Sequence, residues 1–120
     1  MTSAKLPNVR LQHILEQIDG VALAIAGLTF AQVQNNFLYE RAVERAVQII
    51  SEAAKELPSL LRDKYPDVHW QPIIGIGDLL RHEYYRIRSR DMWEIATVHL
   101  PALRPVIVRM LVELDSKFWA

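Results

Sequence analysis

The 120-residue chain is 51% hydrophobic, which suits one globular domain over residues 1–120 with a modest core and leaves no room for a second. Its 14 basic and 14 acidic side chains cancel, so a polyanion would have to be held by a local patch, and the lack of cysteine excludes disulfides and thiolate metal sites. The start, MTSAKLPNVR, shows no apolar signal-peptide stretch, and no window nears the roughly 18 uninterrupted apolar residues of a membrane span, so the expectation is a soluble, cytoplasmic protein without membrane contact.

Leu11, Ile14, Leu15, Ile18, Val21, Ala22 and Ile25 recur at helical spacing with Gln12, Glu16 and Asp19 between them, predicting an amphipathic helix over 8–26 that Gly27 stops. Thr29 to Gln32 has the Thr-x-x-Gln form of a capping box, and Asn35-Asn36 follows soon after, so the second helix should be short. A long third helix spans 37–56. Leu38, Ala42, Ala46, Ile49, Ala53 and Leu57 form one stripe on it, with Val43, Val47, Ile50 and Ala54 beside them, a face broad enough for a central helix. Leu57-Pro58-Ser59 restarts the chain for about two turns, until Tyr65-Pro66-Asp67 breaks it.

The next helix should begin near Trp70 to Pro72, where proline is tolerated in the first turn. Ser89 is the expected N-cap of the last helix. There Trp93, Ala96, Leu100, Leu103, Ile107, Met110 and Leu114 alternate at spacings of three and four, a stripe that fits a dimer seam and an internal core equally well. Pro101 and Pro105 inside it predict a kink or break near 99–101. Sustained two-residue alternation is absent, so the expected fold is an all-α bundle.

Chemistry concentrates in Pro72 to Ile87, PIIGIGDLLRHEYYRI. One account is structural: His82, Tyr84 and Tyr85 close a helix end, where nearby cations gain about 0.3–1 kcal/mol from the helix dipole. The other is functional: Arg81, Arg86, Arg88 and Arg90 form a phosphate patch on an otherwise neutral chain. His13, His69 and His99 form no HxxxH or HExxH pair, so no metal site is expected. Gly75-Ile76-Gly77 lacks the third glycine of a dinucleotide loop, and no cofactor is expected. Trp70, Trp93 and Trp119 read as packing or interface anchors rather than base-stacking platforms.

Five stretches together resemble the HepT-like toxins, small all-α proteins of the HEPN class: RLQHILEQID, LTFAQVQNN, RAVERAVQIISEAAKELP, YPDVHWQPIIGIGDLLRHEYYRI and MWEIATVHLPAL. The resemblance covers nearly the whole chain. It implies an antiparallel four- to five-helix HEPN-type bundle with a kinked last helix. It further implies a homodimer that sets two copies of an Arg-x(4)-His motif in a cleft acting as a metal-independent endoribonuclease. It also implies an MNT-type nucleotidyltransferase antitoxin as partner, which attaches AMP to the tyrosine two residues after the motif histidine.

Carried over by position, the motif histidine falls on His82, the modified tyrosine on Tyr84, and the polar residue after the arginine on Asp78. The arginine itself falls on Gly77, a departure that removes a donor worth on the order of 10²–10³ in rate. Arg81, one turn on, could serve as a displaced catalytic cation or as an ion-pair partner of Asp78. Arg86 and Arg88 are the further candidates for RNA phosphate contact. Three functions follow: a ribonuclease toxin using His82, Arg81 and Asp78; a catalytically degenerate dimer that binds or is modified by a nucleotidyltransferase; and an adaptor docking through the 93–114 stripe.

Overall fold

Residues 6–119 are described by the computed structural model, with side chains through residue 115, so the side chain of Trp119 and the first five residues of MTSAKLPNVR fall outside it. The order is α1 (Pro7–Ile25), α2 (Phe30–Val33), α3 (Phe37–Glu56), α4 (Ser59–Asp63), α5 (Trp70–His82), a 3₁₀ turn (Tyr84–Arg86), α6 (Ser89–Glu94), a π-helical turn (Ile95–His99) and α7 (Leu100–Trp119). No strand occurs among the described residues.

Local signals set most of these boundaries. Gly27 ends the first helical segment at φ 76°, a left-handed conformation that costs glycine little. The capping box forms as its residues require: Thr29 Oγ1 accepts from the Gln32 N–H at 3.2 Å, while Gln32 Oε1 accepts from the Thr29 N–H at 2.8 Å. Asn36 caps α3 by accepting from the Tyr39 N–H.

α3 is the central element, packed against α1, α5 and α6. Its buried face is Val43, Ala46, Val47, Ile50, Ser51, Ala53 and Ala54. The expected stripe therefore holds only from its third turn onward, because Leu38 and Ala42 face outward and Leu38 is 76% exposed. α1 and α7 pack together and close the core over Leu11, Ile14, Ile50, Ile107 and Met110. The last-helix stripe is internal: Ala96, Leu100, Leu103, Ile107 and Met110 are buried within the single chain. The adaptor reading thus loses the surface it needed. Ile107 leaves no accessible surface, so Ile107→Ala should cost about 2–5 kcal/mol in urea unfolding.

Two expectations about the last helix are corrected. Ser89 is the first helical residue rather than the cap, because its hydroxyl donates to Glu40 at 2.5 Å and ties α6 to α3. Arg88 takes the cap position, with its N–H bonded to Asp91. The kink resolves into a π-turn immediately before the first proline. Pro101 has no N–H to give Thr97 and its ring would press on that carbonyl, so the helix widens and the Leu100 N–H reaches back to Ile95. Pro105 then sits within a continuous α7. By length and composition Ser89–Asp115 would suffice to cross a membrane, although its inward stripe is part of the core.

α5 is anchored at its start by buried Trp70, whose Nε1–H donates to the carbonyls of Arg62 and Tyr65 at 3.1 and 3.2 Å. Tyr65 is buried and donates its hydroxyl to Glu113. Burial first, and the Glu113 carboxylate second, push its phenol up to about 12 from 10.0. A folded-state value above the unfolded one gives stability that is full below pH 10 and lost as pH rises towards 12. Tyr65→Phe should remove that component, so parent and variant unfolding free energies should converge between pH 10 and 12.

Candidate active site at the end of the fifth helix

α5 carries Gly77, Asp78, Arg81 and His82, and its position is set by close packing on α3. At the closest point the buried Ser51 hydroxyl donates to the Ile74 carbonyl at 2.6 Å and accepts from the Gly77 N–H at 3.2 Å. A Cβ on residue 77 would lie 2.2 Å from Ser51 Oγ and 2.7 Å from Ser51 Cβ. Glycine is therefore a packing requirement at this crossing, and no side chain fits unless Ser51 gives way.

Beside that contact a groove runs between the two helices, with Glu52, Lys55 and Glu56 on one bank and Asp78 and Arg81 on the other. Three carboxylates face two cations, so the place where the motif arginine would lie is not a positive pocket. Arg81 borders the same groove as Gly77, as helical spacing predicts, and its Nη2 meets Asp78 Oδ1 at 2.5 Å. Both side chains are about half exposed, at 45% and 57%. A pair this wet holds its guanidinium by only about 0.2–1 kcal/mol, so an arriving phosphate can compete with Asp78 for Arg81.

α5 ends at Glu83, whose φ of −142° and ψ of 43° leave the helix while its N–H still donates to Leu79 at 2.7 Å. His82 stands at this end, exposed, with no hydrogen-bond or ion-pair partner among the described residues. Its imidazole is open to solvent and to any substrate. Tyr84 and Tyr85 follow on the 3₁₀ turn, 70% and 73% exposed.

The other arginines are each engaged. Arg86 pairs with Glu83 at 3.0 Å, and Arg88 pairs with Asp91 through Nε at 3.2 Å and Nη2 at 3.3 Å. These bonds hold the Asp91 carboxyl below its ordinary value and Arg88 above its own. Arg90 lies over the Phe30 ring, 4.1 Å from its centre. Between Asp78 and Asp91 four arginines thus face three carboxylates, leaving one net positive charge. The sequence pattern offered an acidic partner three residues away for Arg81 alone; the pairs of Arg86 with Glu83 and Arg88 with Asp91 come from the structure.

His82, Arg81, Asp78, Tyr84 and Arg86 fall within one short stretch, from the last two turns of α5 to the turn after it, and Arg88 begins the segment beyond. Ser51 escaped the sequence reading. It lay within an apolar helical face, and only its distance from Gly77 in space reveals its role. Among the described residues no group of three or more His, Asp or Glu side chains could hold a metal ion.

The family model described as ribonuclease HepT-like matches residues 13–110. A "Putative RNase" of Caldanaerobacter subterraneus subsp. tengcongensis is 33% identical over 107 residues, covering 89% of this chain and 96% of that protein. Another "Putative RNase", from Methanocaldococcus jannaschii, is 27% identical over 107 residues, covering 89% and 88%. A "Probable ribonuclease HepT" of Thermococcus cleftensis is 32% identical over 94 residues, covering 78% and 86%. No solved structure matches the chain.

Proposed function

This chain belongs to the ribonuclease HepT-like family, and from that premise we propose that it is a metal-independent endoribonuclease whose reacting group is His82. The observation that carries the reading is the position of His82: exposed at the end of α5, unpartnered among the described residues, with Arg81 one residue before it in a weak surface pair. An imidazole can take the proton of a ribose 2′-hydroxyl as its oxygen attacks phosphorus, or give a proton to the departing 5′-oxygen. The bond from phosphorus to the 5′-oxygen breaks and a 2′,3′-cyclic phosphate remains. Arg81, released from Asp78, would meet the charge gathering on the phosphate. Asp78 would hold Arg81 between turnovers, and Arg86 and Arg88 would meet the flanking phosphates.

In the cell this activity would make the chain the toxin of a toxin–antitoxin pair, acting as a cytoplasmic homodimer. Its antidote would be an MNT-type nucleotidyltransferase that adenylylates Tyr84. The 70% exposure of Tyr84 makes its hydroxyl accessible to such a partner. Expressed alone in a bacterial host, the chain should arrest growth, and Tyr84→Phe should arrest it equally while escaping rescue by the nucleotidyltransferase. Unimpeded growth at full soluble yield would speak against the toxin reading.

A second reading has its own observation. Gly77 is locked against Ser51 beside a groove where carboxylates outnumber cations, as expected of a member that keeps the bundle and its partner but has lost catalysis. Under that reading expression is harmless and binding of the nucleotidyltransferase survives His82→Ala.

A further inference from the structure

Two large aromatic side chains in succession face solvent from the second residue after His82. Tyr84 and Tyr85 are 70% and 73% exposed, whereas Tyr65 and Trp70 are buried. Their exposure is built into a fixed backbone. Glu83 N–H donates to Leu79 at 2.7 Å, Arg86 N–H to Glu83 at 2.9 Å and Ile87 N–H to Tyr84 at 3.1 Å. Buried Leu80 secures the turn on one side, and Ile87, packed against the core, secures it on the other. The rings meet edge to face, 6.1 Å between centres and 81° between planes, so each steadies the other while ring faces remain open.

We propose that Tyr84 and Tyr85 form a stacking platform for an unpaired nucleobase, so that the RNA taken by this site is single-stranded or looped. The proposal rests on the reading of His82 as an RNA-cleaving residue and adds the substrate class. Open aromatic faces bind any base, but only one that has left a duplex, because paired bases already cover each other. Arg86 and Arg81 flank the platform in chain order, each in an exposed pair that a backbone phosphate can replace. A flat apolar ring beside an exchangeable cation matches the alternation of base and phosphate along a single strand. A base on the platform would hold the neighbouring phosphate near the imidazole.

The test uses the full chain and a single-stranded RNA, 2′-O-methylated against cleavage and carrying 2-aminopurine, together with its duplex. The parent should bind the single strand with quenching of the 2-aminopurine and bind the duplex more weakly. A Tyr84→Leu/Tyr85→Leu double variant should bind the single strand roughly 5- to 100-fold more weakly and lose the quenching, while the Phe/Phe variant should retain both. Equal single-strand binding by parent and Leu variant overturns the platform alone and leaves RNA cleavage standing. No binding of either RNA by the folded parent overturns both. A Leu variant that sediments as half the parent's mass assigns the tyrosines to contact between two copies of the chain, and that also overturns the platform.

Discussion

Replacing His82 with alanine should lower the rate of RNA cleavage by about 10² to 10⁴, the range over which a positioned proton-transfer group normally contributes. The fold should be untouched. The side chain is exposed and has no partner among the described residues, so nothing buried is emptied and no bond is orphaned. Surface changes of this kind stay within about 0.5 kcal/mol in unfolding free energy. Activity and stability therefore separate cleanly at this position. Arg81→Ala should cost cleavage as well, and comparison with Asp78→Ala identifies its role. If Arg81 meets phosphate, freeing it from Asp78 leaves activity equal or higher, whereas a purely structural pair predicts the same small loss from either change.

Gly77→Ala should destabilise the protein by about 1–3 kcal/mol, although the same change inside an ordinary helix stabilises by roughly 0.5–1 kcal/mol. The reversal comes from Ser51. A new Cβ would lie 2.2 Å from its oxygen and 2.7 Å from its Cβ, so the hydroxyl must leave both Ile74 and Gly77 or the helices must part. Losing those two hydrogen bonds costs on the order of 1 kcal/mol each. In a Ser51→Gly background the space opens, and Gly77→Ala should regain its ordinary sign in urea unfolding. Stabilisation by Gly77→Ala in the parent would show that the helices are not in such close contact. The same geometry governs any attempt to install the motif arginine: Gly77→Arg should unfold or weaken the chain, while Gly77→Arg with Ser51→Gly gives the arginine room. Under the degenerate reading only that double change could gain cleavage.

The helices were legible because their causes are local. The capping box at Thr29, the glycine at 27 and the Asn36 cap of α3 act within a few residues, and each sets a boundary. The family was legible too, through stretches spread along nearly the whole chain. Contacts across the fold were hidden. Ser89 looks like a cap until Glu40, 49 residues away, takes its hydroxyl. Leu38 fits an apolar stripe, yet it is 76% exposed while its neighbour Tyr39 packs on the core. A proline at 101 announces a disturbance but does not say whether the helix breaks or widens; the choice of a π-turn keeps Ala96 and Leu100 both in the core.

At the site, the residue types were readable and their pairing was not. Arg81 next to Asp78 at helical spacing admitted both a free cation and an ion pair, and the fold shows the pair lying at the edge of the groove beside Gly77. Gly77 itself read as a loss. In space it is also a contact, held by Ser51 of another helix.

The most direct measurement is incubation of purified, folded chain with end-labelled single-stranded RNA in excess chelator, followed by analysis of the new RNA ends. Internal cleavage is expected, persisting without divalent metal and leaving 2′,3′-cyclic phosphate on the upstream fragment. Intact RNA, or cleavage that appears only when metal is restored, would contradict the proposed function.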